Sequence, residues 1–143
     1  MNTQMKYFEL RDKHITKEEV DELRKCKFVN VKLINCTFPD DCARLFDGCE
    51  YLERLRFTNC NTSNVTNMRW MFCNCDSLKE LDLSNFNTSS VKDMEGMFFG
   101  CKKLEKLVVD NANCSSLVDG LKNDMLFGKS KPCNKLFIFM KGG

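Results

Sequence analysis

Apolar positions along this chain recur in two patterns that follow one another. The first is a short stretch ending in alternation. Leu52, Leu55 and Phe57 are apolar, while Arg54, Arg56 and Thr58 are polar. Alternation of this kind predicts a strand with one face buried. The second pattern places Met68, Met71, Phe72 and Cys75 at i, i+3, i+4 and i+7. That spacing predicts one apolar face of a short helix, and Thr66 stands where an N-cap would. The Asn/Thr/Ser run between the two patterns is turn chemistry.

Both patterns repeat. Leu52, Leu55 and Phe57 return as Leu78, Leu81 and Leu83, then as Leu104, Leu107 and Val109, each step being 26 residues. Asn61 to Met68 aligns with Asn87 to Met94, Met71-Phe72 with Met97-Phe98, and Cys75 with Cys101. With a two-residue deletion the repeat extends backward. Phe28, Val31, Leu33 and Cys36 take the strand positions, and Cys42, Leu45, Phe46 and Cys49 take the second set. Forward it is less regular. Met125-Leu126-Phe127-Gly128 echoes Met97 to Gly100 at a spacing of 28, and Lys135 to Phe139 reads as a last strand. One such unit cannot bury its apolar face alone, but stacked units can.

This organisation divides the chain into three parts. Residues 1–27 form an N-terminal cap with a strand near Lys6 to Leu10 and a helix over about 17–26. The helix opens on the capping box Thr16-Lys17-Glu18-Glu19. Residues 28–121 are the repeats. Residues 122–143 are a degenerate last repeat and C-terminal cap.

The stretch Leu52-x-x-Leu55-x-Phe57-x-x-Cys60 meets the leucine-rich-repeat pattern. Leu81-Asp-Leu-Ser-Asn-Phe-Asn-Thr-Ser-Ser-Val-Lys-Asp-Met94, followed by Met97-Phe98 and Cys101, closely resembles BspA-like leucine-rich repeats. These are also described as a domain of unknown function in mycoplasma surface lipoproteins, and similar repeats occur in protists and large DNA viruses. The resemblance is strong over Leu52 to Val109 and fair from Phe28. It implies an α/β leucine-rich-repeat solenoid of about four to five coils, with a parallel sheet on the concave side and short helices on the convex side. It also implies that the solenoid binds proteins. Bacterial members are surface adhesins; this shorter chain fits an intracellular or viral protein better.

Composition narrows the function classes. Lys and Arg number 22 against 20 Asp and Glu, a net charge of +2. That balance disfavours a nucleic-acid surface. No apolar run reaches the roughly 18 residues of a membrane span. Met1 to Leu10 lacks the apolar core of a secretory signal, so the expected setting is cytoplasmic or intracellular, with a virus particle as the other option. The ten cysteines are then expected to be thiols in a reducing compartment. Cys36, Cys42, Cys49, Cys60, Cys75 and Cys101 all occupy apolar repeat positions, where a thiol acts as a small hydrophobe. A zinc site would need paired C-x-x-C motifs, and a disulfide ladder would need Cα atoms within about 7 Å. Asn35, Asn61, Asn64, Asn87 and Asn113 begin Asn-x-Ser/Thr triplets, which read as turn residues.

Candidate chemistry is sparse. His14 is the single histidine, so a hydrolytic triad among the repeats is not available. No glycine-rich phosphate loop is present. The expectation is therefore no enzyme, no metal and no cofactor. Two features suit a protein partner. The outward strand positions place Arg54 and Arg56 beside Glu80 and Asp82, with Lys106 following. These rows are an ion-pair ladder, a binding face, or both. Trp70 and Phe99 lie off the buried stripe and would suit an interface. The function expected is a binding or scaffold module for a protein partner. The alternative is a structural assembly component, such as a minor virion-associated protein, stacking through open solenoid ends.

Overall fold

A computed structural model describes residues 6–110, 114–121, 125–127 and 136–141. The strands are β1 (Tyr7–Arg11), β2 (Asn30–Ile34), β3 (Arg54–Thr58), β4 (Glu80–Leu83), β5 (Lys106–Asp110) and β6 (Phe137–Lys141); the helices are α1 (Lys17–Cys26) and α2 (Ser115–Leu121). All six strands form one sheet in sequential order, and every neighbouring pair is parallel. The chain is a parallel β-solenoid.

The register follows the sequence repeat. Val31, Leu55, Leu81 and Leu107 lie side by side across four strands, as do Leu33 and Phe57, and Leu83 and Val109. Each is buried. A one-residue slip would turn these rows to solvent, so burial holds the register. Behind the sheet the rings of Phe46, Phe72 and Phe98 stack in file, with centroids 5.5 and 5.8 Å apart, and Phe127 continues the file at 5.6 Å.

The repeated short helices on the far side are not formed. Residues 42–49, 68–75 and 94–101 are successive turns. Half their backbone N–H groups close local turns, as Met71 to Met68 O and Cys75 to Phe72 O. The alternate ones donate to the next coil. Arg44, Phe46 and Gly48 bond the carbonyls of Arg69, Met71 and Cys73; Trp70, Phe72 and Asn74 bond those of Glu95, Met97 and Phe99. A helix would direct every N–H along its own axis and leave this side of the coils joined by side chains alone. This turn ribbon instead makes a second hydrogen-bonded seam opposite the sheet.

The ribbon requires left-handed residues at two places per coil. These are Arg44 (φ 60°), Trp70 (53°) and Gly96 (64°), then Gly48 (76°), Asn74 (57°) and Gly100 (80°). Glycine and asparagine accept this region readily; bulkier residues pay about 1–2 kcal/mol. Thr66 caps no helix. Its N–H and hydroxyl both bond Asp40 O in the preceding coil, at 2.8 and 3.3 Å. Each ribbon opens instead on an Asx turn, in which Asp41, Asn67 and Asp93 accept from the N–H two residues on.

The N-terminal helix forms as expected. Thr16 Oγ1 accepts from Glu19 N, and Lys27 ends the helix in the left-handed region. Val20 and Leu23 are its buried residues. At the other end, the 28-residue echo is shifted. Phe127 stacks on Phe98, and Phe98 N donates to Leu126 O at 2.9 Å. Leu126 therefore takes the place of Met97, while Met125 is 39% exposed. The last strand is described over Phe137–Lys141. Most of the expected C-terminal cap, including Lys135, lies outside the described residues.

Candidate functional site

The seven candidate partner-binding residues separate into two groups. Five lie on the solvent face of the sheet. Register places Arg54 beside Glu80 and Glu80 beside Lys106; it places Arg56 beside Asp82. Together they line a shallow cavity of about 300 Å³. Trp70 and Phe99 line a different cavity of about 600 Å³ on the turn-ribbon side, with Gly96, Lys92 and Met125. The two cavities share no residue.

The expected ion-pair ladder is only partly made. Arg54 Nε lies 3.3 Å from Glu80 Oε2. Lys79 pairs with Glu53 at 3.2 Å, on the rim of the same two coils. Asp82 is engaged elsewhere, because its carboxylate accepts from Ser84 N at 2.9 Å. Arg56 is left exposed, with Lys32 beside it in the register on β2. Neither forms a salt bridge among the described residues. Two neighbouring cations therefore project from adjacent strands, flanked in the register by Glu9 on β1 and Asp82 on β4.

One end of this face differs in character. Val108, although on the solvent side, is buried opposite Phe139. The Lys106 ammonium lies 5.4 Å from the Phe139 ring centroid. At the N-terminal end, Tyr7 Oη donates to Glu9, and Glu9 also accepts from Arg11 Nε at 3.0 Å. Donation by Tyr7 holds the Glu9 carboxyl below its ordinary pKa, with Arg11 and Lys32 acting in the same direction; the same hydrogen bond raises Tyr7.

Trp70 is half-buried rather than freely displayed. The Arg44 guanidinium lies 3.9 Å from its ring centroid and that of Arg69 at 4.6 Å. Its other neighbour is Gly96, where an added Cβ would stand 2.1 Å from Trp70 Cδ1. Arg44, Trp70 and Gly96 are the same position in three coils. The indole lies in the space that glycine leaves open, covered by a cation from the preceding coil. Phe99 is 40% exposed at the mouth of the adjoining cavity.

Eight of the nine described cysteines are buried, and several of their thiols donate hydrogen bonds. Cys75 Sγ donates to Phe46 O at 3.2 Å, Cys101 Sγ to Phe72 O at 3.1 Å and Cys114 Sγ to Phe86 O at 3.1 Å. Each thiol thus reaches a carbonyl of the preceding coil. Burial pushes Cys42 and Cys49 up to about 12 and Cys73 up to about 11. These are unreactive thiols. Cys26 alone is exposed among the described cysteines. Among the described residues no group of three His, Cys, Asp or Glu side chains is placed to share a metal ion, and no helix is long and apolar enough to cross a membrane. His14 Nδ1 lies 2.8 Å from Thr37 Oγ1 on the surface.

The Asn-x-Ser triplets at Asn61 and Asn87 are turn devices. Each asparagine accepts from the N–H of the serine two residues on, at 2.9 Å. Sequence reasoning missed Lys32, whose pairing with Arg56 needs the two-residue deletion to be carried through residue by residue. It also missed Gly96 as the partner of Trp70.

A family model described as "Mycoplasma protein of unknown function, DUF285" matches residues 22–134. No curated protein matches the chain, and no solved structure does.

Proposed function

Because the chain belongs to this family of mycoplasma-type proteins, whose description carries no activity, we propose from the molecule itself that it is a non-enzymatic binding module. It recognises a protein partner through the solvent face of its sheet. The observation that carries this reading is the pair Lys32 and Arg56. They are neighbours on β2 and β3, outside any salt bridge among the described residues, on a face already carrying Arg54, Glu80, Asp82 and Lys106. Cations placed side by side suit an acidic partner segment laid across them. Solenoids commonly bind through such a repeated face.

The leucine-rich-repeat reading, in its BspA-like form, is part of this proposal. It is supported by Leu52-x-x-Leu55-x-Phe57 and its 26-residue repeats, and by asparagines in left-handed positions at the strand ends, Asn35 (φ 54°) and Asn59 (φ 51°). Asn59 Nδ2 donates to Asn35 Oδ1 at 2.6 Å and Asn35 Nδ2 to Asp12 Oδ1 at 3.2 Å, a side-chain ladder along the coil edge.

The test is capture of partners by the tagged full-length chain under reducing conditions, with identification by mass spectrometry. The same capture is run with Arg56→Glu and with Trp70→Ala, folding being checked by circular dichroism. A partner lost with Arg56→Glu and kept with Trp70→Ala supports the sheet face. Loss with Trp70→Ala alone moves the site to the ribbon side. Absence of any stoichiometric partner for the intact chain overturns the reading.

A further inference from the structure

The middle row of the sheet's solvent face has an order. From β1 to β6 it runs Glu9, Lys32, Arg56, Asp82, Val108, Phe139, each beside the next in the register. Glu9 is engaged by Tyr7 and Arg11. Lys32 and Arg56, outside any salt bridge among the described residues, come next. Asp82 uses one carboxylate oxygen for Ser84 N, and a carboxylate has a second to offer. Val108 is buried and Phe139 is 50% exposed. Two hollows of about 300 Å³ each lie along this row. One reaches Arg56, Asp82 and Val108, the other reaches Phe139, and they share Glu80 and Lys106. The described face is thus a groove across the strands, with a cationic, an acidic and an apolar place in sequence.

We propose that this groove takes an extended peptide segment laid across the strands, with an acidic, a basic and an aromatic side chain at alternate positions. The inference rests on the sheet face being the binding surface. The acid lies between Lys32 and Arg56, the base on Asp82, and the ring against Val108 and Phe139. The spacing agrees. Neighbouring strands are about 4.8 Å apart, so the three places follow one another at one and a half strands, roughly 7 Å. Side chains on one side of an extended segment recur every second residue, about 6.6 Å. A helix presents one side about every 5.4 Å and falls out of step by the third place. The order of charges matters as much as their number. Exchanging acid and base sets like charges against each other at two places, which an interface rejects. A polyanion would meet Glu80 and Asp82 in the same groove.

Terminally blocked peptides titrated into the isotope-labelled full chain, followed by NMR shifts, test this. Glu-Ser-Lys-Ser-Phe or its reversal Phe-Ser-Lys-Ser-Glu should bind at least about tenfold more tightly than Lys-Ser-Glu-Ser-Phe and Phe-Ser-Glu-Ser-Lys, which have the same composition. The shifts should centre on Lys32, Arg56, Asp82 and Val108. Asp82→Asn keeps an acceptor for Ser84 N and removes the charge, so it should shrink the preference to about threefold or less. Arg56→Glu should abolish it, with circular dichroism confirming that both variants fold. Equal affinity for the two orders, tighter binding of Glu-Ser-Glu-Ser-Phe, or shifts centred elsewhere overturns the proposal. The wider reading is judged separately. A captured partner lost with Arg56→Glu keeps the sheet face as the binding surface even when the two orders bind alike, and absence of such a partner removes both.

Discussion

Arg24 Nε donates to the carbonyl oxygen of Asp47 at 2.7 Å, the place that a backbone N–H fills in the following coils. There the equivalent carbonyls, of Cys73 and Phe99, accept from Gly48 N and Asn74 N. Arg24 Nη2 likewise reaches Leu45 O at 2.8 Å, equivalent to Met71 O and Met97 O, which accept from Phe46 N and Phe72 N. Asp21 holds the guanidinium at 2.6 Å. One side chain on α1 thus ends the turn ribbon, because α1 has no turn N–H groups to offer the first ribbon.

Replacing Arg24 with Ala should therefore destabilise the fold by about 1.5–3 kcal/mol, the range for hydrogen bonds made by a charged group. Arg24→Lys should recover only part of it, since an ammonium cannot span two carbonyls in the fixed fork of a guanidinium. Urea unfolding of the three proteins checks this. Equal midpoints would mean that water caps the ribbon as well.

Gly96→Ala should cost more than its left-handed backbone alone explains. The new methyl would meet Trp70 at 2.1 Å, at a φ of +64°. We expect roughly 2 kcal/mol or more, with a change in tryptophan emission as the indole is displaced. Adding Trp70→Ala should remove the clash and leave the backbone strain, so the double variant should show favourable coupling in a mutant cycle.

The buried thiols make stability sensitive to alkali. Cys42 and Cys49 titrate near 12 in the folded chain, raised from 9.0 by burial. A raised folded value favours the protonated folded form. Their contribution is complete below the unfolded pKa and is lost as pH rises from about 9 to 12. Unfolding midpoints should fall across the accessible part of that window, and Cys49→Val should flatten the fall. A steeper decline in the variant would contradict the sign. At neutral pH a thiol reagent should label Cys26 rapidly while Cys42, Cys49 and Cys75 stay protected until unfolding.

Leu81→Ala, at a position 1% exposed in the central strand, should cost about 2–5 kcal/mol. The Arg54–Glu80 pair, with side chains 32% and 39% exposed, should contribute about 0.2–1 kcal/mol in a double-mutant cycle. That contrast is useful. Charge changes on the sheet face can therefore test the proposed partner binding without unfolding the chain, and denaturation curves of Arg56→Glu should lie close to those of the parent.

The repeat, the inward residues of each strand and the N-terminal helix were all legible in the chain. Side-chain burial has a period, and a 26-residue identity of pattern admits one stacked register. The same i, i+3, i+4, i+7 spacing of Met68, Met71, Phe72 and Cys75 was misleading, because two backbones bury that set. A helix does so with hydrogen bonds inside the segment; a ribbon of turns does so by giving alternate N–H groups to the neighbouring coil. Only the second choice ties coil to coil, and its partners lie about one repeat away in the sequence. A signal was present in Gly48, Asn74, Gly96 and Gly100, residues suited to left-handed backbone and poorly suited to a helix interior. The surface shows the same division. Sequence spacing placed Arg54 and Arg56 beside Glu80 and Asp82. Stacking decided that Asp82 turns to Ser84 N, that Arg56 stands beside Lys32, and that Trp70 lies over Gly96. Those outcomes depend on which groups compete for one another in space, and that competition exists only once the coils are assembled.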